Sequence, residues 1–374
     1  MDMDLNSPRS SSSVSPASLS SPFYFLRRFS SSDKDQHLVR LPDELLLLIL
    51  ALLPHSDRVS MLRVCTSLHF LVSRSIYSTV RVSGKRARLF FVTLATSSRF
   101  STVYATFPRR LSYSVTSATD MYLTYPVFCQ ALNLLGGLHT LSLDIASAQS
   151  KALMLALTRY GLLRERLLLA TALFQSSQGR VALGDRSGLP RLKTLRVGGD
   201  PVVAALAVHC DVREIILVGE LQYKQLSELC CRLNSSVYGS NISVLGIKLV
   251  PTLDMLAVLH ALAEILPNLE DFSVDQKGSD TLATFRFLAG PDRPFSALKN
   301  LTLNHALGWR LNCALGWRLN RMLEVDRVSE KVVRFLEQEL PSGSGLCSVR
   351  LGSTTWTLNV STYRWLDGVQ GASY

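Results

Sequence analysis

The chain has no C-x-x-C pair, no apolar run long enough to cross a membrane and no catalytic signature, and each absence removes a class of function. Its seven cysteines, at 65, 129, 210, 230, 231, 313 and 347, are odd in number and scattered over 374 residues. That pattern argues for reduced thiols inside a cell, against a disulfide framework, and leaves no clustered Cys/His set for zinc. The N-x-S/T sequons starting at Asn234, Asn241, Asn300 and Asn359 are then expected to carry no glycan. G-x-S-x-G, H-E-x-x-H, G-x-x-x-x-G-K-[ST] and G-x-G-x-x-G are all absent, and the seven histidines are dispersed. Cys230-Cys231 falls in a helical stretch with Leu229 and Leu233, where buried, inert thiols are expected. The sequence therefore predicts no catalytic residue, no cofactor and no metal.

Basic runs are also missing. The net charge is +11, carried mainly by arginine, yet the arginines of "RLFF", "FPRRL", "TRYGLLRER" and "GWRLN" are spread out. Nucleic-acid patches usually concentrate such residues in a short run, so nucleic acid is not an expected partner. A basic face taking an acidic or phosphorylated segment suits arginine's bidentate chemistry, while surface solvation accounts for most of these side chains. The hydrophobic content of 47% and charged content of 18% are globular values, and the length allows one to three domains.

What is present begins at Leu41. "LPDELLLLILALLP" holds nine consecutive apolar residues, Leu45 to Leu53, behind two carboxylates. A membrane span needs roughly 20 such residues, and a secretory signal would start earlier with basic residues before it. The stretch reads as a short helix, with Pro42 at its first position, Asp43 and Glu44 at the positive end of its dipole and Pro54 stopping it. A second helix is expected near Ser56 or Asp57, with Val59, Leu62, Val64 and Cys65 as its apolar candidates. A third carries Leu68, Leu71, Val72 and Ile76 at i, i+3, i+4 and i+8. Three short helices close one small core with one stripe each, so the first has apolar surface left over. Physics alone leaves both covers open: a partner protein, or the remainder of the same chain.

The segment from Leu41 to about Val82 resembles an F-box. The family's pattern is matched by Leu41-Pro42, Asp43-Glu44-Leu45, Ile49-Leu50, Leu53-Pro54, Asp57 and Val64-Cys65, and the tail "SIYSTVRV" is similar to the ending of many fungal members. The resemblance implies a docking module for the Skp adaptor of Skp–cullin–F-box ubiquitin ligases, and through it for cullin and RING subunits. Carried over, the contact surface would include Leu41, Pro42, Leu45, Ile49, Leu50, Leu53, Pro54, Val64 and Cys65. Some of these must serve the module's own core.

From about residue 131 an apolar, two variable, then alternating pattern recurs in "LHTLSLDI", "LPRLKTLRVGG", "VREIILVG", "ISVLGIKLV", "LPNLEDFSVD", "FSALKNLTLN" and "LCSVRLGS". Alternation of this kind is a short strand with one buried face. The residues opening the alternation are Leu141, Leu195, Ile215, Leu245, Phe272, Leu301 and Val349. Most steps between them lie in or just outside the 20–29-residue window of leucine-rich repeats, and the two long ones are about double. "YGLLRERLLLATAL", with Arg166 at an apolar position, would be a degenerate copy in the first long gap. Between strands the period turns helical: Leu226, Leu229 and Leu233; Leu253, Leu256, Leu259 and Ala263; Val328, Val332, Leu336 and Leu340. The whole resembles an irregular leucine-rich-repeat solenoid.

The expected fold class is α+β, a short three-helix F-box followed by an α/β leucine-rich-repeat-like solenoid, or horseshoe. The expected division is a disordered Ser-rich tail over 1–37, the F-box over 38–82, a linking and packing segment over 83–130, the repeats over 131–363 and a C-terminal tail over 364–374. In the N-terminal tail, "FLRRFSSS" resembles the end of a mitochondrial presequence, but Asp2 and Asp4 spoil it, and "RRFS" places two arginines before Ser30. "GKRARLFFVTLATS" reads as a helix and "ATFPRRLSYSVTSATDMYL" as strand and loop. "ALGWRLNCALGWRLN" is a period-eight duplication lengthening a loop or helix. The functional expectation is a non-catalytic substrate receptor of a ubiquitin ligase in cytoplasm or nucleus, recruiting a protein target. The alternative is an F-box and repeat scaffold acting outside a ligase.

Overall fold

A computed structural model of the chain describes residues 41–96, 103–115, 118–163, 189–234, 236, 239–276, 284, 287–288, 295–304, 333–334, 336–338, 346–351, 354–359 and 364–368. The expectations for the 1–37 tail, the 306–320 duplication, Val328, Val332, Leu340 and most of the "YGLLRERLLLATAL" copy lie outside the described residues. The chain divides into two compact units, Met1–Ile76 and Tyr77–Tyr374.

The first unit is built from α1 (Asp43–Leu52), α2 (His55–Met61) and α3 (Thr66–Tyr77), whose last residue crosses the division. Pro42 is the N-cap of α1, one residue earlier than expected. Its carbonyl accepts from the N–H groups of Leu45 and Leu46, at 3.0 and 3.1 Å. Proline suits this position because its extended backbone (φ −54°, ψ 144°) precedes the helix and no amide donor is lost from it. Pro54 repeats the arrangement at α2, where Asp57 and Arg58 donate to its carbonyl. The core of the unit is Leu46, Leu50, Leu68, Leu71 and Val72, with Leu41, Leu47, Leu53, Met61, Leu62, Cys65 and Ile76 packed around it.

Among the described residues, the second unit holds one sheet of eleven strands standing in sequence order. These are β1 (Thr79–Ser83), β2 (Arg110–Ser114), β3 (Thr140–Ile145), β4 (Thr194–Gly199), β5 (Glu214–Leu221), β6 (Val244–Leu249), β7 (Asp271–Gln276), β8 (Asn300–Asn304), β9 (Ser348–Leu351), β10 (Thr354–Asn359) and β11 (Arg364–Gly368). β1 to β9 run parallel to one another, and β10 and β11 close the series antiparallel. Parallel neighbours need a returning crossover. Those returns include α4 (Gly84–Ala95), α5 (Ala118–Leu134), α6 (Ser147–Arg159), a 3₁₀ helix (Pro201–His209), α7 (Tyr223–Asn234) and α8 (Met255–Ile265).

Register explains the recurring leucines. Val80, Leu111, Leu141, Leu195, Ile215, Leu245, Phe272, Leu301 and Val349 pair strand by strand in a single row, and all nine are buried. The row packs in one core with Phe91 of α4, Phe128 of α5, Leu153 of α6, Leu229 of α7 and Leu259 of α8. At the entry to each strand one carbonyl accepts two N–H groups from the next. His139 and Thr140 donate to Arg109, Lys193 and Thr194 to His139, and the device recurs at Ser78, Lys193, Arg213, Ser243, Glu270 and Lys299. The residues alternating with the buried row, such as Ser112, Ser142, Arg196, Ser273 and Thr302, form the opposite, polar face.

Several expectations change. The linking and packing segment over 83–130 carries the expected helix as α4 and the expected strand as β2, but the loop expected after that strand is, from Ala118, the helix α5. The Thr79–Ser83 end of the F-box-like tail is the first strand of the sheet. Leu141 pairs directly with Leu195, and Leu301 directly with Val349, so no strand stands between β3 and β4 or between β8 and β9 in the described sheet. Residues 364–368, expected as tail, form β11 against β10. In α8 the buried face is Met255, Val258, Leu259 and Leu262; of the expected Leu253, Leu256, Leu259 and Ala263, Leu259 belongs to it and the other three do not. Leu336, described alone of its expected set, is buried.

Candidate docking surface

α1 is apolar on two sides, and α3 decides which side is inside. Leu46 and Leu50, one turn apart, meet Leu68, Leu71 and Val72 and are 4% and 1% exposed. The same helix then holds Leu45, Leu48, Ile49 and Leu52 at i, i+3, i+4 and i+7, a second stripe that is exposed. Leu48 is 63% and Leu52 86% accessible. Val59 of α2 and Val64 beyond it are also exposed.

Of the nine residues singled out from sequence, Pro42, Leu45, Ile49, Pro54 and Val64 are exposed. Leu41, Leu53 and Cys65 are half-buried and pack on the core, and the Cys65 Sγ accepts from the Leu68 N–H at 3.5 Å. Leu50 is enclosed in the core and has no surface to offer. Sequence reasoning missed Leu48 and Leu52, the two most accessible leucines of the helix; the signal was their i+3 and i+7 spacing from Leu45. The α2–α3 corner is fixed by His69, whose Nδ1 lies 2.9 Å from the Leu62 carbonyl oxygen.

Two apolar stripes on one short helix, with one core already closed, are what an interaction module needs. Residues 38–83 match the F-box-like family model. No curated protein matches the chain. That segment is similar to domains that serve in protein interaction, typically bind the Skp adaptor and are generally non-catalytic. Among the described residues no helix is long and apolar enough to cross a membrane.

Elsewhere the titratable groups point to structure. Burial pushes the thiols of Cys129 and Cys210 up to about 12, and burial aided by the neighbouring Cys231 pushes Cys230 up to about 11. These three stay protonated at neutral pH. Cys231, expected to be buried with its neighbour, is exposed on α7. A groove of about 500 Å³ between α7 and α8 is lined by Cys230, Cys231, Asp254 and Glu264 among others, and no histidine lines it. Asp211 accepts from Lys193 Nζ and from Asn241 Nδ2, and the Lys193 hydrogen bond is the largest cause of its lowered carboxyl pKa. No group of three His, Cys, Asp or Glu side chains able to hold a metal occurs among the described residues.

Proposed function

We propose that the chain is a substrate receptor of an Skp–cullin–F-box ubiquitin ligase, with a leucine-rich-repeat-like solenoid as its target-binding part. The exposed Leu45–Leu48–Ile49–Leu52 stripe carries the reading, because it lies on an F-box-like domain whose own core is closed without it. The Skp adaptor covers the stripe and links the chain to cullin and RING subunits. The sheet of repeats presents a face to a protein target in the cytoplasm or nucleus. The chain supplies no catalytic group: its contribution is to hold a target near the ubiquitin donor, which raises their effective concentration.

The repeats support this reading by their arrangement. A parallel sheet that adds one strand per unit exposes a long surface at constant spacing, and such surfaces serve binding.

The test is co-purification with the Skp adaptor, comparing the native chain with a Leu45→Asp/Ile49→Asp double variant. Both side chains point away from the core, so circular dichroism of the variant is expected to be unchanged. Adaptor capture by the native chain, lost by at least about a hundredfold in the variant, is the expected result, since each of the two loses roughly 1.5–3 kcal/mol of apolar burial. Absence of capture by the native chain would leave an F-box and repeat scaffold acting outside a ligase.

A further inference from the structure

From β1 to β7 the polar face of the sheet is sorted by charge. On β1 to β4 the outward side chains include Arg81, Arg110 and Arg196, against the single carboxylate of Asp144. All three arginines are exposed, and none forms an ion pair with a described residue. Between Arg81 and Arg196 in the same row lie Ser112 and Ser142. Nothing bulky interrupts the guanidinium groups there.

On β5 to β7 the sign reverses. Glu214, Glu220, Asp271 and Asp275 face outward against Lys248 alone, which is 3.0 Å from Glu220. Among these carboxylates, β5 and β6 present Ile216, Val218 and Val244 beside Gly246. A β-bulge between Ile216 and Glu220 accompanies the exposed Val218. From β1 to β7 the outward surface thus turns from basic to acidic, with an apolar patch on β5 and β6 in which Val244 is flanked by Glu214 and Asp271; Arg350 on β9 lies beyond it.

We infer that this face binds an extended protein segment of opposite order, acidic residues over β2–β4, an apolar residue or two at Ile216–Val218–Val244, and basic residues over β5–β7. The inference rests on the target-recruiting reading above and gives that target its chemistry. Strands stand about 4.8 Å apart, so β2 to β7 spans roughly 24 Å. An extended segment of about seven residues covers that distance. Guanidinium forks take carboxylates or phosphorylated side chains in two parallel hydrogen bonds, which fixes the acidic end in place. A nucleic acid fits less well, because a uniform polyanion long enough to reach β5–β7 meets four carboxylates there.

The experiment is selection of random dodecapeptides from a display library on the full-length chain. The affinity of enriched peptides is then measured for the native chain, for Arg110→Glu/Arg196→Glu and for Arg110→Lys/Arg196→Lys. Enriched sequences are expected to hold acidic residues on one side of an apolar residue and Lys or Arg on the other. The Glu variant weakens them at least about tenfold, the Lys variant less, and peptides with the acidic end changed to Lys regain affinity for the Glu variant. Failure to enrich, enrichment without that polarity, or equal affinity for the Glu variant overturns the inference. So does displacement of the peptides by a single-stranded oligonucleotide at matched charge. Adaptor capture by the same preparations is read separately and reports on a different unit of the chain, so loss of either result leaves the other interpretable.

Discussion

Leu50 and Leu52 stand two residues apart on α1 and have opposite duties. Leu50 is 1% exposed among Leu68, Leu71 and Val72, so truncating it leaves a cavity. Leu50→Ala is expected to destabilise the three-helix unit by about 2–5 kcal/mol. Leu52 is 86% exposed, and Leu52→Ala should change stability by no more than about 0.5 kcal/mol. On the proposed function its effect belongs to binding, where the lost burial is expected to weaken adaptor affinity by about tenfold. Hydrogen exchange at the α3 amides reports the first quantity and a titration with the adaptor reports the second. An α3 equally loosened by both variants would contradict the division of the helix into core and docking stripes. That division was hidden in the sequence, because nine apolar residues in a row carry no phase. The phase comes from outside the helix, from Leu68, Leu71 and Val72 spaced at i, i+3 and i+4.

At the scale of the strand and its entry turn, the repeats were legible where leucine marks both. Leu135 and Leu138 sit in the turn and Leu141 opens the strand; Leu266, Leu269 and Phe272 do the same before β7, and each set is buried. The seven strand-opening residues read from the sequence fall in one register row for that reason. β1 escaped notice, and β2, expected as a strand, was not joined to the series, because their pattern is diluted: "TVRVS" and "RLSYS" are short, and arginine and serine occupy their outward positions. The entry turn also explains a glycine. A Cβ on Gly137 would lie 2.8 Å from the Thr106 carbonyl oxygen and 3.1 Å from Arg109 Nη1, which itself donates to the Gly137 carbonyl. The backbone oxygen has no freedom to retreat, since the neighbouring Arg109 carbonyl holds His139 and Thr140 at the β3 entry. Gly137→Ala is expected to cost about 1–3 kcal/mol and to raise hydrogen exchange at the first amides of β3. Unchanged exchange there would mean the turn relaxes without disturbing the ladder.

Over the whole molecule, a sheet whose strands stand in sequence order couples each unit chiefly to the two beside it. Leu245 of β6 is fully buried between Ile215 of β5 and Phe272 of β7 in the inward row. Leu245→Ala removes a side chain from the middle of that series, and the cost of about 2–5 kcal/mol falls on a site with a neighbour on each side. If stability is a sum of units and their interfaces, protection against exchange drops first in β5, β6 and β7 and fades towards β1 and β9. Val349→Ala, near the end of the parallel series, should loosen β8 and β10 and leave β4 and β5 protected. On the proposed function, adaptor affinity should be unchanged in both, since the helix carrying the stripe packs on the first unit's own core of Leu46, Leu50, Leu68, Leu71 and Val72. Uniform loss of protection from β1 to β9 in either variant would show a single cooperative block. A target segment would then sense substitutions anywhere in the sheet, where neighbour coupling confines their effect to the strands it touches.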